Sequence, residues 1–588
     1  MRLLFDIETD GFLRKLSVIH CIVAKDLDTG VVYKFDDQGV HNSVKCGLTL
    51  LMEADELWGH NLIGFDIPAI REIYPFFALW GGKVYDTLIL SRLFFMDMLD
   101  RDLRKKPVGM PGNLYGRHSL ESWGYRLGVL KSEYGKQLHG DWATYTPQML
   151  EYCAQDVETN YPVVKLFEPK IKQYQSAIDL EHMCALIMTE QEQAGFPFDV
   201  AKAHILEGKL SKELEALSDQ MRATFSHVAG KEFVPARNDN PKGYTKGAPM
   251  TRLTEFNPTS RDHIAWSFQQ HRGWEPIEMT ETGKPKIDED ILMGIGTDES
   301  KKFARILILQ KALGMLSRGT NSWLQMVEAD GRIHHSCMLN TVTGRNVHLR
   351  PNLAQVPQGV EYRELFYPGE NRIQVGADAS SLELRCLAHY LARFGGTDFG
   401  KAVIEGDIHQ VMADISGVDR KTQKTITYCL IYGGGDMKLG LSAGAPKSQA
   451  VRRGKELRNK LMDGIVGFRE LVESVQKRAE SGVITAIDGR PIRVRKPHAA
   501  LNTLLQSCGA VICKAWVVRL NELLKEAGVD FTPLAFIHDE VQLSVNPEHV
   551  GLCKELIPMA MKDVQYTIGF RVPLDCDVQS GSNWGTTH

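Results

Sequence analysis

The sequence lacks any Cys-x-x-Cys pair. Its 11 cysteines are scattered, with Cys508 and Cys513 the nearest two. They read as reduced thiols of a cytosolic compartment rather than a disulfide framework or a zinc site. A basic excess is also missing, since 69 Lys and Arg stand against 73 Asp and Glu, a net charge of −4. No global positive field draws the chain to nucleic acid, although a basic cleft on an acidic body gives the same sum. No apolar run approaches the ~18 residues that cross a bilayer. The N-terminus, MRLLFDIETDGF, meets acids at once and shows no signal-peptide pattern. Internal repeats and low-complexity tracts are absent as well.

What remains is a chain of 588 residues, 43% hydrophobic and 24% charged. That composition belongs to a globular protein of about three or four domains. Residues 1 to about 175 read as one α/β unit, with RLLFDIET and VIHCIVAKDL as strands and GLTLLMEA as a helix. From about 178 to 320 helical patterns dominate, as in AKAHILEGKLSKELEALSDQMRATF and KKFARILILQKALGMLSRG. Between these two helices, KEFVPARNDNPKGYTKGAPMTRL is dense in Pro, Gly and Asn and reads as a loop. Strands and helices alternate over the rest, about 320–588.

Two groups of acids carry the chemistry. Asp6 and Glu8 lie two apart in FDIET, on one face of a strand. HNLIGFD adds Asp66, and YCAQDVETNY adds Tyr152 and Asp156, four apart on a helix face. Each acid alone reads as a solvated surface residue, but together they could form a carboxylate cage. Hard divalent ions take such oxygens and serve phosphodiester cleavage.

The second group centres on PLAFIHDEVQLSV, a hairpin pattern whose tip carries His538, Asp539 and Glu540. Adjacent carboxylates repel, and an ordinary tip favours Asn-Gly or Asp-Gly. A divalent cation removes that penalty. RIQVGADASSLELRCLAHYLARF supplies another carboxylate, Asp378, at the end of a strand over 372–377 and before a helix starting at Ser381. A helix N-cap is the alternative role for Asp378. In DRKTQKTITYCLIYGGGD, Arg420, Lys424, Tyr428 and Tyr432 recur every four residues. The row is one winding stripe of two cations and two rings, suited to phosphates and a base. Gly433 to Gly435 then end the helix.

The first group resembles the D-x-E, N-x-x-x-F-D and Y-x-x-x-D motifs of DEDD 3′–5′ proofreading exonucleases, and VYDTLILSRL around Asp86 resembles the segment between the last two. The second resembles motifs A, B and C of family A DNA polymerases, the DNA polymerase I family. TGRNVHLRPNLAQVP, DGRPIRVRKPHAALNTLLQS and the C-terminal GSNWGTTH extend the match. In detail the chain is similar to replicative polymerases of short-tailed, T-odd-like bacteriophages.

The resemblance implies a ribonuclease-H-like exonuclease domain of the DEDDy type over 1–175, followed by a right-hand polymerase over 176–588. The thumb would span about 195–325, the palm about 326–400 and 480–588, and the fingers about 401–480. Asp6, Glu8, Asp66 and Asp156 would hold two metals, with Tyr152 orienting the attacking water. Asp378, Asp539 and the carbonyl of Ala379 would hold two Mg²⁺, with Mn²⁺ a possible substitute. One ion would activate the primer 3′-hydroxyl and the other would grip the triphosphate. Glu540 would be a supporting acid near the primer end, and His538 would touch the primer strand. Arg420, Lys424 and His409 would hold the phosphates, and Lys424 could protonate the leaving group. Tyr428 would pack on the incoming nucleotide, with Tyr432 near the templating base. Glu383 would exclude the ribose 2′-hydroxyl. Arg345, Asn352, Gln355, Arg490, Asn502 and Gln506 would touch the duplex, where minor-groove acceptors are common to all correct pairs.

The partners implied are primer–template DNA and dNTPs, a phage helicase-primase and a single-strand-binding protein. A monomer in the cytoplasm of a bacterial host, away from membrane, is expected. Related phage enzymes carry a long basic thumb insertion that recruits thioredoxin, whereas this chain has only FVPARNDNPKGYTKGAPMTRLTEFNP, so thioredoxin binding is not expected. No 5′-nuclease domain is expected before Asp6. A single-subunit RNA polymerase, a catalytically dead scaffold and a standalone exonuclease are the alternatives. Glu383, the complete acidic sets and the Arg420–Tyr432 stripe argue against them in turn.

Overall fold

The structure, a computed structural model, describes residues 1–79, 82–129, 142–276 and 278–587. It divides into two compact units. One comprises Met1–Phe196, His334–Ala354 and Tyr367–His588, and the other Pro197–Ile333 and Gln355–Phe366.

The first unit opens with β1 (Arg2–Thr9), β2 (Ile19–Asp26), β3 (Val32–Asp36), β4 (Glu56–Gly59) and β5 (Lys83–Asp86), in sheet order β3-β2-β1-β4-β5. β1 runs antiparallel to β2 and parallel to β4, the mixed pattern of a ribonuclease-H-like sheet. Alternation along β1 sends Leu3, Phe5 and Ile7 into one core. Leu4 joins the opposite core, with Cys21, Val23 and Trp58. Asp6 and Glu8 continue the Leu4 face, half-buried beyond the apolar packing. Asp86 ends β5 and caps α1 (Thr87–Phe94), accepting from the amides of Leu88 and Ile89. Thr146 caps α2 (Pro147–Phe167). The long α3 (Ile171–Ala194) follows, with non-helical angles at Tyr174, beside the boundary expected at 175.

In the second unit, α4 (Val200–Thr224) and α5 (Asp298–Leu313) are the two helices the apolar periodicity predicts. Arg305 and Glu213 pair them, through Nε at 2.6 Å. The stretch expected as a loop is one over residues 234–249, but its two ends belong to a hairpin, β6 (His227–Phe233) against β7 (Met250–Glu255). Val228 is the one buried residue of its two strands, so the buried alternation that marks a strand in sequence is missing.

The first unit resumes with the ribbon β8 (Ser336–Leu339) and β9 (Asn346–Leu349). β10 (Ile373–Ala379) leads into α6 (Leu382–Leu391), and α7 (Arg420–Ile431) begins at the cap Asp419. A small hairpin, β11 (Val483–Thr485) and β12 (Pro491–Arg493), precedes α8 (Ala500–Glu526). β13 (Phe531–Ile537), β14 (Glu540–Val545) and β15 (Cys576–Gly581) complete an antiparallel sheet ordered β13-β14-β10-β15. Contrary to the sequence reading, one helix, Pro497–Glu526, is long and apolar enough to cross a membrane, but its most apolar window is 67% buried within the protein. Val511, Ile512, Trp516 and Leu520 of α8 fill the core behind the sheet.

Candidate active site

β10 lies between β14 and β15, so Asp378 is directly opposite Glu540 on one side and Asp577 on the other. The Ala379 amide donates to the Asp539 carbonyl at 3.0 Å. Two aspartates far apart in sequence therefore stand side by side at the end of one sheet. Burial, and next Glu383, push the Asp539 carboxyl up to about 6. That crowding of negative charge is what a divalent cation would relieve, and the donors are hard oxygens suited to one.

The helix-cap role for Asp378 is not observed. Asp378 belongs to the strand, and α6 begins after Ser381, whose φ is +52°. The hairpin turn holds His538, at φ +60°, and Asp539, while Glu540 already starts β14. Glu540 is 5% exposed and accepts from Trp584 Nε1 and, at 2.8 Å, from Gln542 Nε2. It is tied inward to the C-terminal turn, where the resemblance implies an acid facing the primer end.

The stripe of α7 forms as its spacing requires. Gln423, Ile426, Thr427 and Leu430 are buried, leaving Arg420 and Lys424 exposed and Tyr428 half-buried. Arg420 pairs with Asp407. Tyr428 and Tyr432 stack at 6.2 Å, and the His409 ring lies 5.9 Å from Tyr428. Burial, and next Lys424, lower the His409 pKa. Glu383 accepts from Tyr432 Oη at 3.1 Å and from Arg345 Nη2 at 3.3 Å. Burial raises the Tyr428 pKa, followed by the charges of Glu383 and Asp539.

Among the expected duplex contacts, Asn502 and Gln506 bond each other on α8 at 3.0 Å. Asn352 is exposed and accepts from the Ala354 amide, while Gln355 begins the segment belonging to the second unit. The His538 ring meets His348 edge-on at 5.7 Å. Arg490 departs from expectation. It is fully buried, holding Glu181 of α3 and Asp488, and Lys514 reaches Glu181 at 2.7 Å. A Cβ on Gly344 would lie 3.3 Å from Arg490 Nη1. Arg490 thus supports the turn carrying Arg345 instead of reaching the surface.

At the N-terminal sheet, the Asp86 carboxylate accepts from the amides of Asn61 and Ile63 at 2.9 and 3.1 Å, shaping the turn that delivers Asp66. Asp66 is buried, and its pKa is raised by burial and then by Asp6 and Asp86, while the Ile7 amide favours its charged form. Asp66 therefore meets β1 between the two strand acids. Cys153 donates to the Asp6 carbonyl at 3.3 Å, which lays α2 and its residues Tyr152 and Asp156 along β1. Ligand atoms of Asp6, Glu8 and Cys153 lie within 4.8 Å of one another. Sequence reasoning missed Cys153, although it adjoins Tyr152, and it missed the fixing role of Asp86, which its place at a strand end could have signalled.

Comparison with known proteins gives the family. The model of DNA polymerase family A matches residues 242–586, so the chain belongs to that family. It is a DNA-directed DNA polymerase related to those of two phages. It is 32% identical to the enzyme of Enterobacteria phage T3 over the whole of both chains. It is likewise 32% identical to that of Escherichia phage T7 over 99% of each. The T3 alignment runs to 719 positions against 588 residues here, so the phage protein carries segments without counterpart in this chain. In fold, the chain is similar to the polymerase domain of Pol1 from M. smegmatis, solved with DNA primer-template and dNTP. The TM-score is 0.73 and the identity 18%, covering 99% of this chain and 96% of that one.

Proposed function

We propose that the enzyme adds dNTPs to a primer 3′-hydroxyl at Asp378 and Asp539, and trims mismatched 3′ ends at Asp6, Glu8, Asp66 and Asp156. The observation that carries the polymerase reading is the Ala379–Asp539 backbone bond, which sets Asp378 and Asp539 side by side at the end of one sheet. Two divalent cations at each site, Mg²⁺ in the cell, would supply charge neutralisation and activation of the attacking oxygen when bound. Asp378, Asp539 and the Ala379 carbonyl would hold one pair, and the four N-terminal acids the other. Arg420, Lys424 and His409 hold the triphosphate oxygens, Tyr428 packs on the nucleotide, and Tyr432 stands by the template base. Glu383, fixed by Arg345 and Tyr432, presents a carboxylate where a ribose 2′-hydroxyl would come. Phosphoryl transfer asks mainly for positioning and charge stabilisation, which these groups provide. Tyr152 orients the water of the hydrolytic site.

The reading includes the module boundaries expected from sequence, a monomeric enzyme working in the host cytoplasm, and a helicase-primase and single-strand-binding protein as partners. It does not expect thioredoxin binding, because the hairpin β6–β7 stands where related enzymes carry a long insertion. Asp6→Ala tests the division of labour. Trimming of a single-stranded 3′ end should fall at least ~100-fold while extension is unchanged. Unchanged trimming would sink the proofreading assignment. Added thioredoxin should leave product length unaltered.

A further inference from the structure

We propose that Arg385 is a positioning residue for nucleotidyl transfer, clamping the turn after Asp378 so that the Asp378 carboxylate and the Ala379 carbonyl keep their places beside Asp539. The inference rests on the polymerase reading of that site.

The argument begins with a conformational problem. Between β10 and α6 the chain reverses within Ser380 and Ser381, and Ser381 has φ +52°. A non-glycine residue there is strained and persists only where its surroundings over-determine it. No glycine or proline relieves the turn, and Ser381 makes no side-chain cap bond.

Arg385, one helical turn on, answers the problem. Its Nε donates to the Ser380 carbonyl at 2.7 Å, and its Nη1 donates to the Pro573 carbonyl. Arg385 is 7% exposed, so both bonds are largely sheltered from solvent. Two further bonds converge on Ser380. Its amide donates to the Asp575 carbonyl at 3.0 Å, and its hydroxyl donates to Asp577 Oδ2 at 3.1 Å. Burial lowers the Arg385 pKa, opposed by the charges of Asp575 and Asp577. One planar side chain thereby fastens the segment after Asp378 to the segment leading into β15. A planar fork with several donors can hold two carbonyls at once, which an ammonium on a flexible stem does poorly.

The consequence is functional because Ser380 follows Ala379 directly. If the turn relaxed, the end of β10 would lose its fixed distance to Asp539. A displacement of about 1 Å in a reacting group can cost on the order of 10²-fold in rate. Binding of the duplex uses other residues and should be spared.

The test uses the full chain with Arg385→Gln, Arg385→Lys and, in parallel, Asp378→Asn. For Arg385→Gln, kcat for extension should fall about 10- to 100-fold with KM for primer–template little changed. The midpoint of Mn²⁺ binding, read by electron paramagnetic resonance on the protein–DNA–dNTP complex, should rise several-fold. Deuterium uptake over residues 378–385 should quicken. Arg385→Lys should fall between the glutamine variant and wild type. Trimming at the N-terminal site should be unaltered in both, which reports intact folding. Normal extension and metal binding in Arg385→Gln, with Asp378→Asn inactive, would overturn this inference and leave the polymerase site standing. Normal extension in Asp378→Asn would overturn the site itself. Should the glutamine variant not fold, Asp577→Asn, at the exposed end of the same network, should raise the Mn²⁺ midpoint in the same direction. No rise would overturn the proposal.

Discussion

At the scale of single residues, the chemistry is concentrated in side chains whose partners are mostly other site residues. Tyr428 is half-buried between the His409 ring and Tyr432. Its phenol can supply the hydrogen bond that a dideoxynucleotide, lacking a 3′-hydroxyl, no longer makes. Wild type should therefore incorporate ddNTPs readily, and Tyr428→Phe should discriminate against them at least ~10-fold in competitive primer extension. Equal incorporation by the two proteins would refute this. His348 shows a different residue-scale effect. Burial, and then His335 and His538, lower its pKa from 6.5 to about 3. Because the folded value is the lower one, the unfolded chain takes up the proton first as pH falls. Stability is then fully present above pH ~6.5 and lost progressively toward pH ~3, by about 2 kcal/mol per such histidine at pH 5. His335, lowered to about 4, acts in the same sense. Denaturant midpoints at pH 7 and 5 should differ less in His348→Phe than in wild type.

At the scale of elements, the buried ions link pieces distant in sequence. Glu181 of α3 meets Arg490, which leads into β12, and Lys514 of α8, all at most 2% exposed at the side chain. Lys514 and Arg490 together hold the Glu181 carboxyl below its usual range against the opposing effect of burial. Glu181→Ala leaves Lys514 buried without its carboxylate and Arg490 with Asp488 alone, so thermal or urea unfolding should report a loss of about 3–5 kcal/mol. A loss under about 1 kcal/mol would mean that water replaces the carboxylate. This network also shows where sequence reading stops. The two-residue spacing of Asp6 and Glu8 marked one face of β1, and four-residue spacing marked the faces of α2 and α7. The resemblance implies a duplex contact at Arg490, and nothing in the one-dimensional pattern distinguishes a buried, paired arginine from an exposed one. The β6–β7 hairpin went unread for the converse reason, since it buries almost nothing. The left-handed turn at Ser381 carries no glycine to announce it.

At the scale of the whole molecule, the acids were legible because each set falls at strand ends or on one helix face, in spacings that resemble two known motif groups. What the sequence could not carry was their convergence, which depends on β10 lying between β14 and β15 and on α2 lying along β1. The account makes the two sets independent, one acting on incoming dNTPs and the other on the primer end. The most direct measurement is primer extension by wild type and Asp539→Ala, with and without dNTPs. The mutant should make no extended product and still shorten the primer as wild type does without dNTPs. Continued extension by the mutant would show that the paired aspartates of the four-stranded sheet are not where synthesis occurs.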